Sequence, residues 1–257
     1  MAMKTITFNA SKGGTGKSTL SMITLNALTR AGYKCLAVDT DMINHSLSFY
    51  YNSGIPFESI QAKNLFKVFA GGSVQDNVLK INDRLDLLHA DVRLSDFRSI
   101  ETFKRLKKAM TGLEYDYAVI DTAPTFDNLT ANVLTASDTL IIPTIPDVFN
   151  LQSVKYLLGK LADLELKGLD IHVLFNQYEK PRTDNKGTYS NQIIELFTLD
   201  NSIKPFISPV RISKSNVIKK YVNDKGYRIN TRRETAKQFD EIKNLLKSIA
   251  GITPGGI

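Results

Sequence analysis

A glycine-rich run between two regular elements constrains the fold of this chain more than any other feature. Residues 11–19 read Ser-Lys-Gly-Gly-Thr-Gly-Lys-Ser-Thr, and they come directly after the apolar segment 6–8. Glycines let backbone N–H groups approach an anion closely, and the start of a helix adds unpaired N–H groups and a positive dipole end. The run therefore predicts a strand, a phosphate-binding loop and a helix, in that order.

The side chains of this loop carry the chemistry that a bound nucleotide requires. Lys17 supplies positive charge to the phosphates, and the hydroxyl of Ser18 is placed to bind Mg²⁺. The general phosphate-loop pattern begins with a glycine, whereas this chain has Ser11 there, so the match is a variant form. The predicted nucleotide contacts in the loop are Lys12, Gly13, Gly14, Thr15, Gly16, Lys17, Ser18 and Thr19.

Apolar segments with β character alternate with amphipathic segments along the chain. We predict strands at 5–9, 34–39, 85–89, 117–121, 139–143, 171–176 and 205–208, and helices at 17–31, 100–111, 129–136, 151–166, 189–197 and 233–250. This alternation predicts an α/β fold with a doubly wound, mostly parallel sheet flanked by helices. Segment 44–82 gives no clear prediction. We expect one domain over residues 1–250 and a flexible tail at 251–257.

An acidic residue ends one of the most apolar predicted strands. Asp121 closes the segment 117–121 and precedes Thr122-Ala123-Pro124. Ligands of open α/β sheets bind beyond the carboxyl ends of the strands, and Mg²⁺ on a triphosphate needs a carboxylate. Together with the phosphate loop, Asp121 is therefore predicted to bind the metal, the alternative being a cap for the next helix.

Composition limits the compartment and the kinds of site. The single cysteine, Cys35, excludes an intramolecular disulfide and any site built from several cysteines of one chain. No apolar stretch approaches the ~20 residues of a membrane span, and the N-terminus runs straight into the first predicted strand. We therefore expect a cytoplasmic protein.

Positive charge is concentrated at the C-terminal end. Residues 201–257 contain 12 Lys and Arg against 4 acids, a net charge of +8, whereas the first 200 residues sum to −1. A basic segment on a nearly neutral body indicates a polyanionic partner, either nucleic acid or an anionic membrane surface. The alternative is a solvated lysine-rich helix without a partner.

Lys12 directly before the glycine pair gives the form K-G-G-x-G-K-[ST]. In this motif the chain resembles the ParA/MinD family of deviant Walker A P-loop ATPases, and it is closest to the ParA-type partition ATPases. The resemblance implies ATP and Mg²⁺ as cofactors and a homodimer in the ATP-bound state. It also implies that Lys12 reaches the nucleotide of the partner subunit and that Lys12, Lys17 and Asp41 are catalytic.

The resemblance extends to other strand ends. In Asp39-Thr40-Asp41, Asp41 would polarise the attacking water, and Asp39 would support the phosphate loop and the metal shell, so that Ser18, Asp39 and Asp121 form the metal site. Met42-Ile43 replaces the Pro-Gln of the family, and we expect slow hydrolysis as a result. Asn176 occupies the position that the family places against adenine, although it could equally be a turn residue.

The last predicted helix fits two uses of such a dimer. Its apolar stripe would either pack on the sheet or enter a membrane surface. The three glycines and the proline of residues 251–257 cannot extend a membrane helix, so no stable membrane association is expected. We therefore predict sequence-independent DNA contacts by Arg211, Lys214, Lys219, Lys220, Arg232 and Arg233.

The predicted function is that of a ParA-like, nucleoid-associated partition ATPase. ATP would drive dimerisation and nonspecific DNA binding, hydrolysis would release the DNA, and a ParB-like centromere-binding protein would stimulate the cycle. The alternatives are a MinD-like positioning ATPase on a membrane surface and a dethiobiotin-synthetase-like ligase for a small molecule.

Overall fold

A computed structural model describes residues 2–99, 103–179, 189–215, 218 and 233–250, with only the backbone for residues 233–239 and 250. Eight strands form one sheet in the order β3-β4-β2-β5-β1-β6-β7-β8. All neighbours pair in parallel except β3 and β4. The strands are β1 (Lys4–Phe8), β2 (Cys35–Asp39), β3 (Leu79–Asn82), β4 (Leu85–Leu88), β5 (Tyr117–Asp121), β6 (Thr139–Thr144), β7 (Asp170–Tyr178) and β8 (Ile207–Ser213).

Helices cover both faces of the sheet, because the strands are apolar on both sides. The helices are α1 (Lys17–Arg30), α2 (Ser46–Tyr51), α3 (Phe57–Ala62), α4 (Leu65–Phe69), α5 (Val74–Asn77), α6 (Arg105–Met110), α7 (Asn128–Thr135), α8 (Val148–Asp163), α9 (Tyr189–Leu199) and α10 (Arg233–Ala250). Short 3-10 segments occur at Val92–Phe97 and Lys204–Phe206. Within the described residues, no helix is both long and apolar enough to cross a membrane.

Three apolar clusters hold these layers together. On one face of the sheet, α1 and α10 pack against residues from nearly every strand. On the other face, α4, α6 and α7 cover β2, β4 and β5, whereas α8 and α9 cover β6 and β7. The buried residues of α10, Ile242, Leu245, Leu246 and Ile249, belong to the first cluster. The apolar stripe of this helix therefore packs on the sheet, which was the first of its two predicted uses.

The predicted doubly wound α/β fold is confirmed, with differences at the boundaries. The strand predicted at 205–208 lies at Ile207–Ser213, since Pro205 falls in a 3-10 segment. The helix predicted at 100–111 is described only from Arg105. The helix predicted at 151–166 begins at Val148, because the carboxylate of Asp147 accepts a hydrogen bond from the Asn150 N–H at 2.7 Å and caps it.

The region without a clear prediction, 44–82, contains four short helices and an edge strand. These helices are α2 to α5, each of four to six residues. The edge strand is β3, which runs antiparallel to β4 with an irregular register. Elements this short bury too few residues to show a clear period in the sequence, so the local pattern did not predict them. The predicted tail 251–257 lies outside the described residues.

Candidate nucleotide-binding site

The phosphate loop lies at the centre of the sheet. It follows β1, which is flanked by β5 on one side and by β6 on the other. Gly14 and Gly16 adopt φ angles of 75° and 101°, in the left-handed region that other residues rarely adopt. Gly16 precedes α1, and among the described residues no side chain caps this helix. The first N–H groups of α1 are therefore available to an anion.

A cavity of about 600 Å³ opens above the loop at the carboxyl ends of the strands. Its volume falls in the range of small-molecule and cofactor sites. Eight of the residues predicted at the site line it, namely Gly13, Gly14, Gly16, Lys17, Ser18, Thr19, Asp41 and Asn176. The other lining residues are Leu20, Asn44, Ser46, Pro124, Gln177, Ser213, Lys214, Ser215 and Ile218. None of them was predicted to contact the nucleotide, and Lys214 was predicted to contact DNA. Most of the predicted nucleotide contacts thus line one cavity, whereas Lys12 and Thr15 do not line it.

Lys17 brings positive charge to the base of this cavity. Its side chain begins α1, and only 7% of the residue is exposed. Burial lowers the pKa of Lys17, while the negative charges of Asp121 and Asp41 oppose that effect. The ammonium group therefore feels the charges of two acids and lines the cavity, where it could also attract a phosphate.

Asp121 is a buried carboxylate next to the loop. It is fully buried, and among the described residues neither of its oxygens has a hydrogen bond of good geometry. Burial and then the charge of Asp39 raise the pKa of Asp121 to about 8, although the hydroxyl of Ser18 and the charge of Lys17 pull it down. An unpaired buried carboxylate near a serine hydroxyl fits the oxygen ligands that Mg²⁺ prefers. Ser18 and Asp121 therefore could hold the predicted metal.

Asp39 is positioned differently from Asp121. Its two carboxylate oxygens accept hydrogen bonds from the backbone N–H groups of Asp41 at 2.9 Å and Ser48 at 2.8 Å. Burial raises the pKa of Asp39 to about 6, and these hydrogen bonds limit the rise. Asp39 therefore anchors the segment from Asp41 to the start of α2. Its predicted place in the metal shell stays a prediction.

Asp41 organises the turn that follows β2. Its Oδ1 accepts hydrogen bonds from the N–H groups of Ile43 at 3.1 Å and Asn44 at 3.0 Å, and its Oδ2 accepts one from the Asn44 side chain at 2.9 Å. Met42 is buried in the core, whereas Ile43 is 75% exposed. Met42-Ile43 thus forms a turn without the proline, and this turn places the carboxylate of Asp41 at the rim of the cavity.

Lys12 lies outside the cavity of its own subunit. Its Nζ is 3.4 Å from both carboxylate oxygens of Asp147 and 5.3 Å from the centre of the Phe149 ring. The described residues that line the cavity do not include Lys12. The spare lysine of the loop therefore points toward the start of α8, away from the phosphate position.

Two neighbouring amides at the end of β7 contact the loop. The Asn176 Nδ2 donates to the Thr15 carbonyl at 2.8 Å, and the Gln177 Nε2 donates to the Gly14 carbonyl at 2.9 Å. A Cβ at Gly16 would overlap the Asn176 side chain, so this position needs glycine. Asn176 lines the cavity as predicted. Gln177 was missed, and its only sequence signal is its place beside Asn176 at a strand end.

The predicted DNA contacts are only partly described. Arg211 lies exposed on β8, with its guanidinium 5.4 Å from the centre of the Tyr178 ring. Lys214 follows β8 and forms an ion pair with Glu179 at 2.7 Å. The structure thus brings Arg211 and Lys214 to one edge of the sheet. Lys219, Lys220 and Arg232 lie outside the described residues, and Arg233 begins α10 with its side chain undescribed.

Comparison with known proteins identifies the family. A family described as AAA domain matches residues 3–173, which includes the phosphate loop, Asp121 and most of the sheet. The chain belongs to this family, in its ParA/MinD type. It is 27% identical to the sporulation initiation inhibitor protein Soj of Bacillus subtilis, over 75% of this chain and 78% of Soj. It is 25% identical to the virulence plasmid ParA family protein of Chlamydia psittaci, over 87% and 90% of the two chains.

Solved structures share the architecture of this ParA/MinD-type chain. One is a plasmid partition protein of Borrelia burgdorferi bound to AMPPNP, with a TM-score of 0.77, 24% identity and coverage of 96% of this chain and 100% of the other. Another is cobyrinic acid a,c-diamide synthase of Mycobacterium smegmatis with bound ADP and magnesium, with a TM-score of 0.73, 19% identity and coverage of 99% of both chains. At these identities the likeness shows that the fold is shared.

Proposed function

We propose that this protein is a ParA-like partition ATPase. ATP with Mg²⁺ occupies the cavity, two subunits associate face to face, and the dimer binds DNA without sequence preference. Hydrolysis of the β–γ phosphoanhydride bond separates the subunits and releases the DNA. A ParB-like centromere-binding protein stimulates this step, and the protein is associated with the nucleoid.

The position of Lys12 carries this proposal. A lysine that served only its own nucleotide would enter its own cavity, as Lys17 does, yet the Lys12 ammonium is held outside by Asp147. Phe149, on the same surface, is 77% exposed. Aromatic residues are enriched at protein interfaces, so the exposed Phe149 ring beside Lys12 fits a contact surface. These features support a second subunit as the place where Lys12 acts.

Different residues of the cavity have different roles in the proposed phosphoryl transfer. The loop N–H groups and Lys17 would hold the phosphates, while Ser18 and Asp121 would hold the metal, which would supply positive charge to the transferring group. Asp41, fixed by its turn, accepts a hydrogen bond from the attacking water and orients it in line with the γ-phosphate. The Lys12 of the partner subunit would add positive charge to the transition state.

DNA is the polyanion favoured by the chain's own charges. Arg211 and Lys214 stand on the β8 edge, near the basic C-terminal end of the chain. The buried stripe of α10 packs on the sheet, so this helix is not free to lie in a membrane surface. The name of the Chlamydia relative refers to a virulence plasmid and that of the Borrelia structure to plasmid partition, and both agree with this choice.

Binding of a fluorescent DNA duplex, followed by anisotropy, tests the proposal. It should be measured with ATP, with ADP and without nucleotide, at about 50 and 200 mM salt, since counterion release makes phosphate contacts salt-sensitive. We expect binding that requires ATP, weakens steeply with salt and is the same for unrelated sequences. Nucleotide-independent DNA binding would contradict the proposal.

The same experiment separates the two rival functions. A MinD-like positioning ATPase would prefer vesicles of anionic lipid to DNA, in the presence of ATP. A dethiobiotin-synthetase-like ligase of the same fold would bind neither DNA nor vesicles and would turn over ATP only with its small-molecule substrate. DNA, vesicles with anionic lipid and neutral vesicles should therefore be compared side by side.

A further inference from the structure

The end of β7 touches the phosphate loop through side chains from two successive residues. Asn176 donates a hydrogen bond to the Thr15 carbonyl, and Gln177 donates one to the Gly14 carbonyl. The donors and acceptors are more than 160 residues apart in the sequence. Two consecutive peptide groups of the loop are therefore held from the same strand.

Holding a carbonyl fixes the direction of the N–H group in the same peptide. In a planar trans peptide the C=O and the following N–H point in opposite directions. With the Gly14 carbonyl held by Gln177, the Thr15 N–H points away from that amide. In the same way, the bond from Asn176 to Thr15 directs the Gly16 N–H. Both N–H groups belong to the run that surrounds a bound phosphate in this kind of loop.

The backbone of Gln177 indicates that this contact is specifically maintained. Its φ angle is 55°, in the left-handed region that residues other than glycine, asparagine and aspartate seldom adopt. The conformation turns the Gln177 side chain back onto the loop instead of continuing the strand alternation. Unfavourable backbone angles of this kind persist where surrounding contacts hold them, often at functional sites.

We propose that Gln177 is a positioning residue for the diphosphate part of the nucleotide. It orients the peptide between Gly14 and Thr15 before any ligand arrives, so the loop presents its N–H donors without rearranging. The inference rests on the nucleotide-binding part of the proposed function and not on DNA binding or partition. It extends the adenine contact predicted for Asn176, because Gln177 acts on the phosphate end of the ligand.

Affinities for ADP, inorganic pyrophosphate and AMP, each with Mg²⁺, test the inference by calorimetry. In Gln177→Ala, one oriented hydrogen bond is lost, and we expect affinities for ADP and pyrophosphate to fall about threefold to tenfold while AMP changes less than about twofold. Gln177→Glu keeps the shape but cannot donate and adds a negative charge beside the loop, so ADP and pyrophosphate should bind at least as weakly as in Gln177→Ala. Gln61→Ala, at an exposed glutamine of α3, is the matched control and should bind like the unaltered protein.

Gln177→Gly separates orientation from backbone strain. Glycine relieves the left-handed conformation but removes the amide, so weakened ADP and pyrophosphate binding supports positioning, whereas binding as tight as in the unaltered protein overturns it. Equal losses for AMP, ADP and pyrophosphate would also overturn the inference, because they would indicate general damage to the cavity. If the unaltered protein bound neither ADP nor pyrophosphate, the inference and the proposed function would both fail. Normal binding of ADP and pyrophosphate by Gln177→Ala would overturn the inference about Gln177 and leave the proposed function standing.

Discussion

The Lys12 ammonium lies 3.4 Å from each carboxylate oxygen of Asp147, and the same carboxylate caps α8 through the Asn150 N–H. One acid thus serves two elements, the phosphate loop and the start of a helix. Because Asp147 is fixed by its cap, it can hold Lys12 in a defined place. Asp147 thus holds Lys12, which we propose acts on a second subunit, on the surface of its own subunit.

Replacing Lys12 tests its role across the interface. We expect Lys12→Ala to bind ATP within about twofold of the unaltered protein, because Lys12 lies outside its own cavity. ATP-dependent dimerisation should be lost and hydrolysis should fall on the order of 100-fold or more. Size-exclusion chromatography with light scattering and phosphate release measure the two effects. Lys63→Ala, at an exposed lysine, is the control, and a normal dimer with full turnover in Lys12→Ala would refute the role.

Weakening the ion pair between Asp147 and Lys12 should strengthen ATP-dependent dimerisation, whereas Lys12→Ala should abolish it. Asn caps helices about as well as Asp, so Asp147→Asn keeps the start of α8 intact while removing the charge. Partly exposed ion pairs contribute about 0.2–1 kcal/mol, and we expect ATP-dependent dimerisation to strengthen by up to about fivefold. The dimer dissociation constant in ATP is the measurement. Weaker dimerisation with an unchanged melting temperature would show that Asp147 belongs to the dimer contact itself.

The buried acid at the metal position should make stability depend on pH. The pKa of Asp121 is about 8 in the folded protein against an ordinary value of 3.8, so the folded state binds more protons between these values. The free energy of unfolding without nucleotide or metal should therefore fall as pH rises from about 4 to 8. Asp121→Asn should remove part of this slope and raise the free energy of unfolding near pH 8.5 by roughly 1–3 kcal/mol.

Urea denaturation at pH 5 and pH 8.5 measures this effect. The difference between the two proteins should shrink toward low pH, because Asp121 is then protonated in the folded state and no longer buries a charge. Asp163→Asn, at an exposed acid at the end of α8, gives the matched control and should leave the slope unchanged. Parallel pH profiles for Asp121→Asn and the unaltered protein would contradict the assignment.

The β8 edge should contribute to DNA affinity through Arg211. Lys214 is already paired with Glu179, so Arg211 is expected to contribute more of the positive potential. Arg211→Glu should weaken ATP-dependent DNA binding roughly tenfold. Because one phosphate contact is lost, the slope of log affinity against log salt concentration should decrease in magnitude by about one. Lys63→Glu changes the charge by the same amount on another surface. Equal losses in the two variants would indicate a general effect of net charge instead of a contact.

The loop and the strand-end acids were predictable because they are local patterns. Ser-Lys-Gly-Gly-Thr-Gly-Lys-Ser-Thr needs only the strand before it and the helix after it, and Asp121 ends a largely apolar strand. The contacts of Gln177 and Asp147 were not predictable, since their partners lie more than 130 residues away in the sequence. The hydrogen bonds of Asp39 were not predictable for a related reason, because they go to backbone groups, which carry no sequence signature.

The register of the sheet gives the two strand-end acids a fixed relation. Asp39 and Asp121 are paired residues of β2 and β5, and Phe8, which precedes the loop, also pairs with Asp121. Rigid neighbouring strands cannot separate these acids to relieve their repulsion. The repulsion is one reason why the pKa of Asp121 rises to about 8, so the ligand-free protein keeps a proton on this acid at neutral pH, and a bound cation would displace it. Binding of nucleotide and metal should therefore stabilise the folded state. The melting temperature should rise as the site is filled.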